Sequence, residues 1–163
     1  MSAATGKTQN FRVGLIQMRS GRAPAANLDA ACALIDEAKA GGADYVLTPE
    51  MTNIMELSRD ALFAAIAPEE KDASLAAMRE RARRHAMFVH VGSLAIKVSP
   101  EKAANRSYLI DPKGEIVARY DKVHMFDVDL ANGESYRESR NYRPGESGVL
   151  SGLPSRRLLV THF

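Results

Sequence analysis

The stretch Asp44–Asn53 reads DYVLTPEMTN. Tyr45, Val46 and Leu47 form a short aromatic and aliphatic run closed by Pro49, the pattern of a buried strand leaving a sheet. Glu50 follows the proline at once, so a carboxylate stands at the mouth of an apolar strand, where ionisation costs most. Two readings stay open on these residues. Glu50 is an exposed loop residue, the usual fate of a glutamate, or a general base whose pKa is raised by desolvation.

Outward from this stretch the elements alternate. FRVGLIQM (Phe11–Met18) reads as a first strand, and NLDAACALIDEAKAGG as an amphipathic helix over 27–40. Its face carries Leu28, Ala31, Cys32, Ile35 and Ala38, with Asn27 as the cap and Gly41 as the stop. Beyond the second strand (44–48), Ser58 can cap a short helix through Ile66. A longer helix follows over 68–85, with Pro68 near its start and Leu75, Met78 and Ala82 on its apolar face. Strands are expected at 87–96, 105–111 and 115–120, the last two joined as a hairpin by the turn sequence DPKG. This order predicts an α/β fold with at least part of its sheet parallel.

The gross numbers bound the class. The 163 residues suffice for one domain with its own core, and 45% apolar with 26% charged residues is an ordinary globular composition. A formal charge of +2 argues against nucleic acid as the main partner. The polar N-terminus, residues 1–10, reads as a flexible segment without the apolar core of a signal peptide, and no run is long enough for a membrane span. The single cysteine, Cys32, excludes an intramolecular disulfide and suits a reducing, cytoplasmic setting.

From Lys122 to Gly148 periodicity fades and Gly, Asn and Pro recur, so a long functional or disordered loop is expected there. Lys122 stands just past the hairpin, with Glu138 sixteen positions later. A lysine between carboxylates keeps its charge in a partly buried pocket and can stabilise an oxyanion. On composition alone, a solvated surface explains these loop residues better.

Three pieces taken together change that reading. VGLIQM, then ADYVLTPE, then YDKVHMFDVDL with SYRES and PGE, in this order and spacing, resemble the carbon–nitrogen hydrolase (nitrilase) superfamily from about Phe11 to Gly148. KVHMFDVDL with YRES is most similar to the branch holding omega-amidase and deaminated-glutathione amidase. The resemblance implies a four-layer α-β-β-α sandwich, a homo-oligomer in the full-length form, no cofactor, and a small amide as substrate. It also implies a Glu–Lys–Cys site working through a thioester. By residue matching, Glu50 would be the general base, Lys122 the group stabilising the tetrahedral intermediate, and Glu138 the second glutamate that orients the lysine.

The family's nucleophile has no match here. Its cysteine strand should follow the PGE loop, but the chain reads SGVLSGLPSRRLLVTHF and stops. Residues 11–163 are therefore expected to be a partial domain, truncated or frameshifted before the nucleophile strand, or else a non-catalytic remnant that pairs with another subunit. Cys32 is expected to be a small hydrophobe on the inward helix face. His85, His90, His124 and His162 lack zinc-ligand spacing, so no metal is expected. His124 is expected to anchor its loop by hydrogen bonds, and RERARRH (Arg79–His85) to be a solvated face. Met51, Met55 and Phe126 suit a pocket lining and core packing equally.

Overall fold

The structure, a computed structural model, describes residues 10–153 and the backbone of residues 156–160. Residues 1–9 of the flexible segment expected over 1–10, and the histidine at 162, lie outside the described residues. One five-stranded sheet forms the body, with neighbours in the order β1 (Val13–Leu15), β2 (Tyr45–Leu47), β3 (Phe88–Lys97), β4 (Ala103–Ile110), β5 (Ile116–Asp121). β1, β2 and β3 are parallel, with Val46 opposite both Gly14 and Val89. β3, β4 and β5 are antiparallel. The parallel half is built by the crossover helices α1 (Pro24–Ala40) and α3 (Ala73–His85), and the antiparallel half by the turn at Asp111–Gly114.

Alternation along the strands divides the core. One face sends Val46, Val89, Val91, Tyr108 and Ile110 against Ala31 and Ile35 of α1 and Leu75, Met78 and Ala82 of α3. The opposite face carries Tyr45, Leu109, Ala118 and Tyr120, against which Val149 and Leu153 of a β8–β9 hairpin (Val149–Leu153, Arg156–Val160) are packed. A third cluster gathers Met51, Ile54, Leu62 of α2 (Arg59–Ala65), Ala95, Ala103 and Tyr142 at one end of the sheet. Each fully buried aliphatic side chain in these clusters contributes about 1.5–3 kcal/mol.

Several sequence expectations are corrected. The first strand is shorter than 11–18 and lies at the sheet edge: Val13 and Leu15 are 46% and 75% exposed. Asn27 does not cap α1. The helix starts at Pro24, whose fixed φ suits a first turn, and Asn27 is buried inside it. There its amide exchanges bonds of 2.8 Å with the Gly21 backbone and donates to the Asn53 carbonyl at 3.0 Å. The helix expected over 68–85 is broken. A 3-10 turn at Glu69–Lys71 ends at Asp72, whose carboxylate accepts from Leu75 N at 2.8 Å and starts α3 afresh. Ser58 does cap α2, and Gly41 ends α1. The region 122–148 is not one loop but contains a small hairpin, β6 (Asp127–Asp129) with β7 (Ser135–Arg137). Its strands are too short and too polar to show a period of two.

The basic run Arg79–His85 is also less solvated than its composition suggests. His85 and Arg81 reach Asp36 of α1 at 2.6 and 3.6 Å, tying the two helices together.

The β3 backbone touches the loop after β2 at Gly92. A Cβ there would lie 2.2 Å from the Thr48 carbonyl oxygen and 2.6 Å from Pro49. Gly92→Ala is therefore expected to push β3 away from that loop and cost about 3 kcal/mol, read from urea denaturation. An alanine variant as stable as the wild type would contradict this close approach.

Candidate active site

Glu50 stands where the chain turns off β2, and the turn is netted to β3. Thr48 N donates to the His90 carbonyl at 3.0 Å, Met51 N to Ser93 Oγ at 2.8 Å, and Thr52 N to the Ser93 carbonyl at 2.9 Å. Thr52 Oγ1 closes the turn on the Pro49 carbonyl at 2.6 Å. Met51 is held at a φ of 54°, a left-handed conformation that costs a methionine about 1–3 kcal/mol. These bonds fix the direction in which Glu50 leaves the backbone.

Lys122 is placed from the other half of the sheet. It follows the last residue of β5, its N–H donates to the Asn105 carbonyl at 2.9 Å, and its own carbonyl accepts from Gly145 N at 2.8 Å. Gly145 lies so close to β5 that a Cβ would meet the Asp121 carbonyl oxygen at 2.2 Å. The Arg106 guanidinium holds Asp121 in a two-pronged pair at 2.6 and 2.9 Å, so the carboxylate preceding Lys122 is turned to a different partner. Glu138 comes from a 3-10 turn, Glu138–Arg140, directly after β7.

The three residues meet. Lys122 Nζ lies 3.0 Å from Glu50 Oε1 and 3.0 Å from Glu138 Oε2. Its side chain is 6% exposed, against 14% for Glu138 and 36% for Glu50. Burial alone would lower the Lys122 pKa. Hydrogen bonds and charge from Glu50 and Glu138 outweigh it, and the pKa is raised. Of the two readings left open for Glu50, an exposed residue or one desolvated by burial, the structure bears out the first. The Glu50 side chain is the most open of the three, because it faces a cavity of about 900 Å³.

Asn105 is a site residue that sequence reasoning missed. It is buried on β4, and its amide donates to Glu50 Oε1 at 2.8 Å and Glu138 Oε1 at 3.1 Å, so a neutral group ties both carboxylates. Phe126 N adds a bond to Glu138 Oε2 at 2.7 Å. Asn105 carries no distinct sequence signal, since it stands in β4 beside two other polar residues, Arg106 and Ser107. Met51, Met55 and Phe126 line the cavity, and Met51 also belongs to the apolar cluster beneath it. His124 lies exposed on the cavity wall, and its ring anchors no loop among the described residues. Cys32 is buried in α1 among core residues, away from the cavity lining, with its thiol pKa raised by burial. Among the described residues no His, Cys, Asp and Glu side chains group as a metal site. Among the same residues no helix is long and apolar enough to cross a membrane.

Chemically, the arrangement offers a shared cation for an anionic oxygen and an accessible carboxylate for a proton, side by side on an open cavity.

The carbon-nitrogen hydrolase family model matches residues 12–153, and the chain belongs to that family. It is 36% identical over 157 residues to a deaminated glutathione amidase of Yersinia enterocolitica, covering 94% of this chain and 54% of that protein. It is 32% identical over 148 residues to an omega-amidase of Bos taurus, covering 88% and 51% respectively. An amidase from Nesterenkonia sp. matches it in structure with a TM-score of 0.76 at 26% identity, over 91% of this chain and 54% of that one. The chain thus spans about half the length of the curated relatives it matches.

Two outcomes follow from the geometry. Asn105→Leu removes both donors from the carboxylates without opening a void, and should cost about 1–3 kcal/mol in urea denaturation; an unchanged midpoint would contradict the bridging role. The second concerns pH. A raised folded-state pKa makes the Lys122 contribution full below its unfolded value and lost as pH rises through the folded one. Buried Tyr45, Tyr108 and Tyr142, also raised, fade in the same direction. The stability gap between wild type and Lys122→Met should therefore narrow above about pH 10.4. A gap that stays constant to the alkaline end would show that the ammonium is not held by its neighbours.

Proposed function

We propose that this chain supplies the Glu50–Lys122–Glu138 part of an amidase that hydrolyses small carboxamides to the acid and ammonia. The observation that carries the reading is the ammonium of Lys122 held at 3.0 Å from each of two carboxylates on an open cavity. Glu50, the exposed member, acts as general base toward a thiol and returns the proton to departing ammonia. Lys122 stabilises the tetrahedral oxyanion, and Glu138, the more buried carboxylate, orients the lysine.

The nucleophile in this reading is a cysteine thiolate that attacks the amide carbonyl and forms a thioester, which water then opens. Cys32 does not serve, since it sits in the α1 packing, and it is the sole cysteine of the 163 residues. The thiol therefore comes from polypeptide other than these residues. The Nesterenkonia sp. amidase supports both the nucleophile and the substrate class in this reading. A mutant of that enzyme carries an acrylamide adduct on its active-site cysteine, and another mutant was seen in complex with butyramide. Similarity to a deaminated glutathione amidase and an omega-amidase supports an amide substrate in the same way.

In this reading residues 11–163 are part of one carbon–nitrogen hydrolase domain, and their sheet with α1 and α3 on one face is half of a four-layer α-β-β-α sandwich. The sheet face bearing Tyr45, Leu109 and Tyr120, on which the β8–β9 hairpin already packs, is the side on which the rest of the second half would stack. The exposed edge at Val13 and Leu15 also favours a second reading, a module that pairs with further polypeptide without catalysing.

Residues 1–163 alone should release no ammonia from butyramide, because base and cation cannot form an acyl-enzyme without a thiolate. A chimera continuing this chain with the cysteine-bearing second half of the Yersinia enterocolitica relative should release it. Glu50→Gln or Lys122→Met in that chimera should lower the rate by at least about 10²-fold. Turnover by the chain alone, lost in Cys32→Ala, would overturn the assignment, as would a chimera indifferent to Lys122.

A further inference from the structure

Tyr142 is 7% exposed, and its hydroxyl has no hydrogen-bond partner among the described residues. A phenylalanine would fill the same space without burying an unpaired hydroxyl, which costs stability. The ring is not free to look elsewhere. Tyr142 N donates to the Glu138 carbonyl at 3.0 Å, and its neighbours are clipped to β4: Ala103 N donates to Asn141 O at 2.9 Å and Arg143 N to Ala103 O at 2.8 Å. The side chain packs with Met51, Ile54 and Ala103 and lines the same cavity as Glu50, Lys122 and Glu138. Burial first, then the charges of Glu138 and Glu50, raises the phenol pKa, so the hydroxyl keeps its proton and lies within electrostatic reach of both carboxylates.

An unpaired buried donor from a residue lining the same cavity as two carboxylates gains meaning from what the ammonium must do. In the resting arrangement Lys122 serves Glu50 and Glu138 together. An oxyanion that takes a share of its charge draws the ammonium toward the cavity and weakens one or both bonds. A carboxylate losing its cationic donor in a partly buried site then needs another. We propose that Tyr142 is a positioning residue, its hydroxyl a reserve donor to whichever of Glu50 and Glu138 Lys122 releases. This rests on the reading that Lys122 serves an oxyanion. The tyrosine holds the vacated carboxylate in place, so that the ammonium can move and return without the array collapsing.

A double-mutant cycle tests this without any amide, so it can fail or succeed independently of the ammonia assay. Removing the ammonium by Lys122→Met imitates its departure. In the wild-type background Tyr142→Phe should leave the folding equilibrium constant unchanged or raise it, since an unpaired hydroxyl is removed. In the Lys122→Met background the same change should lower that constant by about tenfold, because a hydrogen bond to a charged group is lost. If Lys122→Met does not fold, Lys122→Gln keeps a neutral amide donor group and allows the same comparison. The ¹³Cζ resonance of Tyr142 gives a second readout that a core-filling role would not move: it should shift when Lys122 is replaced. Equal effects of Tyr142→Phe in both backgrounds, or an unmoved resonance, would overturn the proposal.

Discussion

A buried ammonium between two carboxylates is the constraint on which the rest of this structure depends. Lys122 pays for its burial only because Glu50 and Glu138 each approach to 3.0 Å, and breaking such a set by removing one member leaves an uncompensated charge. The three groups come from separate parts of the chain: the turn after β2, the end of β5 and the turn after β7. Bringing them together requires the parallel and antiparallel halves of the sheet to be in fixed register. The site is thus a consequence of strand order.

The supporting contacts are backbone approaches more than side-chain packing. Gly92 presses β3 onto the residues before Glu50, and Gly145 presses the segment after Glu138 onto the residue before Lys122. Neither place has room for a Cβ. Asn105, on the strand between, spans the two carboxylates with one amide. The Arg106–Asp121 pair works on the opposite side of β4, since its guanidinium also reaches Glu69 at 2.9 Å.

Much of this was legible in the sequence where the signal is periodic. The faces of α1 and α3 and the β4–β5 hairpin follow from apolar spacing and turn chemistry, and the buried residues Ala31, Ile35, Leu75, Met78 and Ala82 are those the helical period selects. Glu50, Lys122 and Glu138 became visible only as parts of a family pattern, because each alone is an ordinary loop residue. Asn105 was invisible, since it is one of three consecutive polar residues in β4, with Arg106 and Ser107, and no periodicity sets it apart. Asn27 misled because its capping propensity competes with Pro24, and the proline at the first turn decided the start. The β6–β7 hairpin was missed because three-residue polar strands are held by the Arg137–Asp129 pair at 2.6 Å rather than by an apolar face. The openness of Glu50 could not be read from its neighbours in sequence, as it depends on the cavity formed by distant segments.

The central claim is that Lys122 is held charged by two carboxylates at once. A ¹⁵Nζ titration of Lys122 tests it most directly, followed in the wild type and in Glu50→Gln and Glu138→Gln. The account predicts a midpoint above the ordinary lysine value in the wild type, because its neighbours outweigh burial, and a lower midpoint in each variant. A wild-type midpoint at or below the ordinary value, unmoved by either substitution, would contradict it.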